Sequence, residues 1–205
     1  MKKGFTLIEM LVVIGIIIVL LGAAVSSFSR MTKSAEKAKV QELVSNAATA
    51  LTAYFQTEGA WPKAIRDGDG RLDAKQALVI ARGYFSLNTD SSDPKSATKL
   101  VGLDRFGIVT PWAQAVLKRL GANATESSSV NGSSTVRDHI LYYSVDLNGD
   151  GVIEGQELRN LTGIERIRAT AAVWCCGKSG KLETDYTRGR KRDMVYSWTY
   201  GQTQK

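Results

Sequence analysis

The chain opens with a long apolar run and changes rhythm twice after it. From Phe5 to Phe28 the positions are dominated by Ile, Val, Leu, Ala and Gly, with one carboxylate, Glu9, inside the run. As a helix this run would extend roughly 36 Å, enough to cross a hydrocarbon core of about 30 Å. From Ser29 the pattern becomes amphipathic. Val40, Leu43, Val44, Ala47, Leu51, Tyr54 and Phe55 recur at three- and four-residue steps, so the helix is predicted to continue to Glu58 and to end at Gly59 and Pro62. Shorter pieces follow. Asp67-Gly68-Asp69-Gly70 reads as a turn, Leu72–Gly83 contains a short helix, and Pro111 starts a helix that Gly121 closes. Ala122–Thr135, rich in Ser, Thr, Asn and Gly, reads as a mobile loop. Three strand-like runs come next, His139–Val145, Thr170–Trp174 and Met194–Tyr200. The last alternates Met194, Tyr196, Trp198 and Tyr200 against Val195, Ser197 and Thr199. This pattern predicts an α+β fold, a small antiparallel sheet laid on a helical spine.

Composition narrows the function classes. The chain of 205 residues carries a net charge of +7, with much of the excess in Lys178, Lys181, Arg188, Arg190, Lys191 and Arg192. That cluster reads as a solvated loop, and nucleic acid is not an expected partner. The two cysteines are adjacent, Cys175-Cys176, and His139 is the sole histidine, so no zinc spacing exists. A reduced pair at a strand end is expected. No enzyme is expected either: His139 has no nucleophile motif beside it, Lys178-Ser179-Gly180 is not a G-x-S-x-G elbow, and no phosphate-binding glycine loop follows a strand.

Lys2 and Lys3 ahead of the apolar run place the amino terminus in the cytoplasm. A carboxylate inside a bilayer costs a few kcal/mol, so Glu9 calls for a partner. An ordinary secretory signal would use Lys2 and Lys3 as its basic region, Met10–Leu21 as its core and Ala24-Val25-Ser26 as its cleavage site. The helical pattern that continues past Ser26 disfavours it.

The Gly4-Phe5-Thr6-Leu7-Ile8-Glu9 sequence with its short basic leader resembles the processing site of type IV pilins and type II secretion pseudopilins. The resemblance implies cleavage by a prepilin peptidase between Gly4 and Phe5 and N-methylation of Phe5. It also implies that Glu9 neutralises the Phe5 amine of an adjacent subunit during assembly. Ser26 stands where many pilins carry a proline, which leaves the family's helix kink in doubt. Thr110-Pro111-Trp112-Ala113 resembles the Asp-Pro-Trp-Gly turn of secretion pseudopilins, with its aspartate and glycine replaced. Trp174-x-x-Gly177-x-x-Gly180, Thr184-Asp185 and Asp193-x-x-x-Ser197-Trp198 are similar to the carboxyl-terminal loop of the major pseudopilin, which binds calcium in that family. Here Ser179 replaces an aspartate and cations crowd the loop, so the hairpin is expected without the ion.

The expected organisation is therefore pilin-like. Residues 1–4 form a leader, 5–28 a transmembrane and filament-core helix, 29–59 its amphipathic continuation, and 60–205 a globular head. The implied role is a structural subunit of a type II secretion pseudopilus. Its implied partners are further copies, other pseudopilins, the prepilin peptidase and an inner-membrane assembly platform. The chain would begin as a single-pass inner-membrane protein with a periplasmic head and end in a periplasmic filament. The alternative is a type IV pilin or minor pilin serving adhesion, motility or DNA uptake.

One further motif stands on its own residues. Asp146–Glu157 fits the calcium loop at every position: Asp146, Asn148 and Asp150 supply oxygens at 1, 3 and 5, and Gly151 permits the turn at 6. Val152 offers a carbonyl at 7, Glu154 stands at 9, and Glu157 can bind through both oxygens at 12. A strand precedes the loop, so it would be a strand–loop calcium site and not an EF-hand. A signal-anchored calcium-binding module is thus a remote alternative role. Asp67–Asp73 carries Arg71 where a ligand would sit and is expected to be a turn only.

Overall fold

The computed structural model describes residues 7–81, 103–189, 193–199 and 202–204. The chain divides into two compact units, Met1–Lys39 and Val40–Lys205. Helix α1, Leu7–Glu58, is one helix with Ser26 inside it. In the first unit its apolar side chains face outward: Leu7 is 84% exposed, Ile14 55% and Val19 72%. Among the described residues no helix is long and apolar enough to cross a membrane. The span expected over 5–28 includes residues and side chains outside that description.

In the second unit the predicted stripe is the buried one. Val40, Leu43, Val44, Ala47 and Leu51 are in the core, Tyr54 and Phe55 lie partly buried against it, and Ala50 joins them. Gly59 ends α1 with φ +71 and donates its N–H to the Phe55 carbonyl at 2.8 Å, a left-handed cap that a residue with a Cβ adopts only under strain. Two short helices follow, α2 at Lys63–Arg66 and α3 at Ala74–Ala81, with the Asp67–Gly70 turn between them. Asp73 Oδ1 accepts the Lys75 N–H at 2.9 Å and so starts α3. Residues 82 and 83 of the expected Leu72–Gly83 segment lie outside the described residues. Strands β1, Leu103–Asp104, and β2, Gly107–Ile108, form a hairpin. Helix α4, Pro111–Leu120, starts at its proline and closes at Gly121, as the sequence predicts.

The central sheet has the order β3-β6-β7, with β3 at Tyr142–Val145, β6 at Ala171–Cys175 and β7 at Val195–Tyr196, all antiparallel. Alternation along these strands sorts their side chains into two cores. Tyr143, Val145, Ala171, Val173, Cys175 and Val195 pack with the stripe of α1. Tyr142, Ala172, Trp174, Met194 and Trp198 point the other way, into a second cluster with Ile153, Leu158, Leu161, Ile164, Ile167 and Tyr186. That second layer is a small sheet of β4, Ile153–Glu154, β5, Arg166–Ile167, and β8, Thr203–Gln204, with helix α5, Tyr186–Gly189, beside it. The fold is α+β and pilin-like, a long amino-terminal helix followed by small antiparallel sheets.

Two expectations need correction. His139 is not in a strand: it sits in a 3-10 turn, Arg137–His139, and β3 begins only at Tyr142. Its run satisfies the strand pattern because Ile140, Leu141 and Tyr142 are all buried, on different clusters. The expected strand at Met194–Tyr200 reduces to Val195–Tyr196, with bends at Ser197 and Trp198, and Tyr200 lies outside the described residues. The loop at Ala122–Thr135 is pinned by its own side chains. Asn131 Oδ1 accepts the N–H and hydroxyl of both Ser133 and Ser134 at 2.8–3.1 Å, while its Nδ2 donates to the Lys178 carbonyl at 2.6 Å.

Candidate functional site

Two regions carry the residues singled out by sequence. At the amino terminus, Gly4 and Phe5 lie outside the described residues. Glu9 occupies the first turn of α1, where the helix dipole favours a carboxylate, between the exposed Ile8 and Met10.

The second region is the loop after β3, and the structure gathers most of its predicted donors around their own backbone. Asp146 is 1% exposed, and its two oxygens accept the N–H groups of Gly149 and Gly151 at 2.7 Å each. Gly149 and Gly151 hold φ of +81 and +82, which lets the chain wrap this carboxylate. Asn148 Oδ1 accepts from Asp150 N–H at 2.9 Å, and Asp150 Oδ1 from Val152 N–H at 2.8 Å. Glu157 bonds across the loop, taking the Leu147 N–H at 2.8 Å and the Glu154 N–H at 3.2 Å. Glu154 and Glu157 form a capping box on the 3-10 turn Gly155–Leu158. A strand therefore enters the loop and a single 3-10 turn leaves it, in agreement with the predicted strand–loop arrangement.

The donor set fits a hard cation: all its ligands are oxygen, and no Lys or Arg lies within Asp146–Glu157. In the form described, however, the carboxylates serve the backbone. Among the described residues no group of three or more His, Cys, Asp or Glu is gathered so as to hold a metal. Asp67–Asp73 is a turn, with Asp69 Oδ1 accepting from Arg71 N–H at 3.1 Å.

What sequence reasoning missed is how the loop is held. The Trp61 indole N–H donates to the Asp146 carbonyl, and the Trp61 ring stacks on Phe55 with centroids 4.9 Å apart. On the far side, Arg159 donates to the carbonyls of Ile65 at 3.0 Å and Arg66 at 2.8 Å, and to that of Gly68. Asn160 Nδ2 donates to the Asp69 carbonyl at 3.0 Å. Arg159 also lies over the Tyr143 ring at 5.0 Å, and burial pushes the Tyr143 phenol up to about 12 despite this cation. Both ends of the loop are thus fastened to the corner where α1 gives way to α2. The hydrogen bonds that fasten the loop have no sequence signal, because their partners lie 85 to 94 positions apart.

The remaining candidates are structural. His139 is fully buried, and Ser134 donates its hydroxyl to Asn131, so His139 Nε2 donates to Ser134 Oγ at 3.0 Å while Nδ1 accepts from Thr110 at 3.0 Å. Burial lowers its pKa and keeps the ring neutral. Cys175 and Cys176 are both free and buried. Desolvation raises both thiols, Cys176 to about 12, so neither is a reactive thiolate. In the carboxyl-terminal loop Asp193 accepts the Ser179 N–H and hydroxyl, each at 3.1 Å. The β6–β7 hairpin is present with Trp174 opposite Tyr196. Arg190, Lys191 and Arg192 lie outside the described residues.

Comparison with known proteins agrees with the amino-terminal reading. A model of the prokaryotic N-terminal methylation motif matches residues 1–25. The chain is 35% identical over 63 residues to a type IV major pilin protein of Neisseria gonorrhoeae, covering 31% of this chain and 38% of that one. A second gonococcal type IV major pilin protein is 33% identical over 97 residues, 44% of this chain and 45% of the relative. A fimbrial protein of Neisseria meningitidis serogroup B is 34% identical over 62 residues, 30% of this chain and 36% of the relative. The chain spans less than half the length of each of these curated relatives. No solved structure matches it. The chain is type IV pilin-like: it carries the methylation motif and an α+β fold behind a long amino-terminal helix. Its relatives are structural proteins, not enzymes.

Proposed function

We propose that this chain is a structural, non-enzymatic subunit of a pilus-like filament of the type II secretion pseudopilus class. In this reading a prepilin peptidase cuts it between Gly4 and Phe5, Phe5 is N-methylated, and α1 anchors it in the inner membrane before assembly. The observation that carries the reading is the methylation motif at residues 1–25 together with the outward-facing apolar side chains from Leu7 to Leu21 within it. Such a surface is far larger than a soluble monomer leaves uncovered. Homo-oligomeric filament contacts, other pseudopilins and a membrane assembly platform are the partners it implies. The pseudopilin class is supported by the Ser197-Trp198 ending and by two free cysteines in place of a disulfide-bounded loop. A type IV pilin of a surface pilus is the second reading, favoured by the names of the relatives. Mass spectrometry of the amino terminus of protein taken from its native host tests the proposal. A mature chain beginning at N-methylated Phe5 is expected, and an intact Met1 or a start near Ser27 would overturn it.

Calcium bound by Asp146, Asn148, Asp150, Glu154 and Glu157, with the Val152 carbonyl, is proposed as a stabiliser of the head. The ion would supply the positive charge that four carboxylates in one loop otherwise lack. Binding to the folded head alone adds stability that grows with free calcium. A chelator should therefore lower the melting temperature of a chain starting near Arg30, and Asp146→Ala or Glu157→Ala should remove that dependence while Asp67→Ala keeps it. Titration must reach the millimolar range, since extracellular calcium modules often bind at ~10⁻⁴–10⁻³ M. A melting temperature indifferent to both chelator and millimolar calcium would reduce the loop to an acidic turn.

A further inference from the structure

Two features of the second unit carry opposite charges, one beside a cleft and one beside an exposed leucine. The first is a cleft of about 260 Å³ lined by Trp112, Ala115, Val116, Arg119, Val130, Asn131 and Lys178. Its floor is apolar, its charged residues are both cations, and no carboxylate lines it. The Asn131 bond to the Lys178 carbonyl fastens two of its walls together. The Asn131 carbonyl oxygen is already saturated by Ser133 and Ser134, so polar recognition here falls to Arg119 and Lys178. A ligand for this cleft has an apolar body carried among anions.

The second feature is the tip of the acidic loop. Leu147 is 41% exposed, and Asp150 and Glu154 beside it are exposed as well. The loop is fastened at its base by Trp61 and Arg159, which leaves its tip exposed.

We infer that the cleft receives the Leu147 tip of a neighbouring copy of this chain, making a contact between the globular heads of successive subunits in the filament. The inference rests on the filament reading above. A knob on one surface and a hole on another form a heterologous contact, and such contacts propagate as open helical arrays instead of closing as dimers. Leu147 fills the apolar floor beside Trp112 and Val130, while Arg119 and Lys178 face the carboxylates around it. Complementary charge sets register and encounter rate more than affinity, which suits a contact that adds to assembly through α1. Four carboxylates less one divalent cation leave the loop anionic, so calcium weakens the attraction without reversing it.

The test uses the full chain in its assembling host. Leu147→Cys combined with Ala115→Cys should yield a ladder of disulfide-linked oligomers on mild oxidation, because the native Cys175 and Cys176 are buried and do not compete. Neither single variant should give the ladder. Arg119→Glu with Lys178→Glu should lower filament yield several-fold and abolish the cross-link while the head stays folded, its melting temperature falling by only a few degrees because both side chains are exposed. A parent that assembles while the cysteine pair stays monomeric would overturn the contact, as would a charge-reversed chain that assembles normally. Loss of assembly on charge reversal without any cross-link would assign the cleft to a different acidic partner and also overturn it. A parent that never assembles would remove the filament reading itself.

Discussion

Chain carrying Glu9→Val is expected to be cleaved and inserted in the membrane but to yield almost no filament. The physical argument has two parts with opposite signs. Replacing a carboxylate by valine inside an apolar helix makes insertion easier by at most a few kcal/mol, so the variant should accumulate in the membrane at least as well as its parent. Assembly loses the anion that is proposed to neutralise the Phe5 amine of a neighbour, and an unpaired ammonium buried among Leu, Ile and Val side chains is costly. The side chains flanking Glu9 along α1 are apolar and outward-facing, Ile8 71% and Leu11 64% exposed, so no other described group in that stretch carries a charge. Filament yield and membrane content should be measured on the same cells. Normal assembly by Glu9→Val would leave the pairing without a role, whereas Glu9→Asp should keep part of the yield.

Trp174→Ala should cost the head about 3–5 kcal/mol, the range for removing a large buried aromatic side chain. Trp174 has no exposed surface and sits in the middle strand of the central sheet, opposite Tyr142 on one side and Tyr196 on the other. Its ring lies 5.9 Å from those of both Tyr142 and Trp198, stacked on the first and edge-on to the second. It therefore joins the central sheet to the second layer, and truncation removes packing on both. Since whole domains are stable by only about 5–15 kcal/mol, a melting temperature lower by about 6–20 °C is expected. Leu147→Ala, on an exposed tip, should change stability by no more than about 0.5 kcal/mol. Urea unfolding of a chain starting near Arg30 reads both. A loss below about 1 kcal/mol for Trp174→Ala would show that the second layer does not pack on the sheet.

The long elements were legible because they are long. The stripe from Val40 to Phe55 repeats over several turns, and periodicity of that length leaves one face for the core. Pro111 and Gly121 bounded α4 for local reasons, a fixed φ at one end and a left-handed cap at the other. The amino-terminal motif was legible because it is a contiguous run of residues, matched as such over residues 1–25. Strand ends were misplaced where burial is not periodic: His139, Ile140 and Leu141 are successive buried residues, and an apolar run of that kind does not distinguish a strand from a 3-10 turn.

The sequence by itself thus determined the spine helix, the processing motif, the spacing of oxygen donors in the Asp146–Glu157 loop and the expectation of an α+β head. Each of these depends on residues close together in the chain. Only the tertiary structure decided that the central sheet is buried on both faces, since strands of two residues such as β4, β5 and β8 carry no period to read. It alone decided that Trp61 and Arg159 fasten the acidic loop to the corner after α1, because a side chain reaching a backbone carbonyl more than 80 positions away leaves no pattern in either segment. The cleft between α4 and the Val130–Asn131 turn exists for a similar reason: Lys178 is brought to α4 and that turn only when the chain is folded.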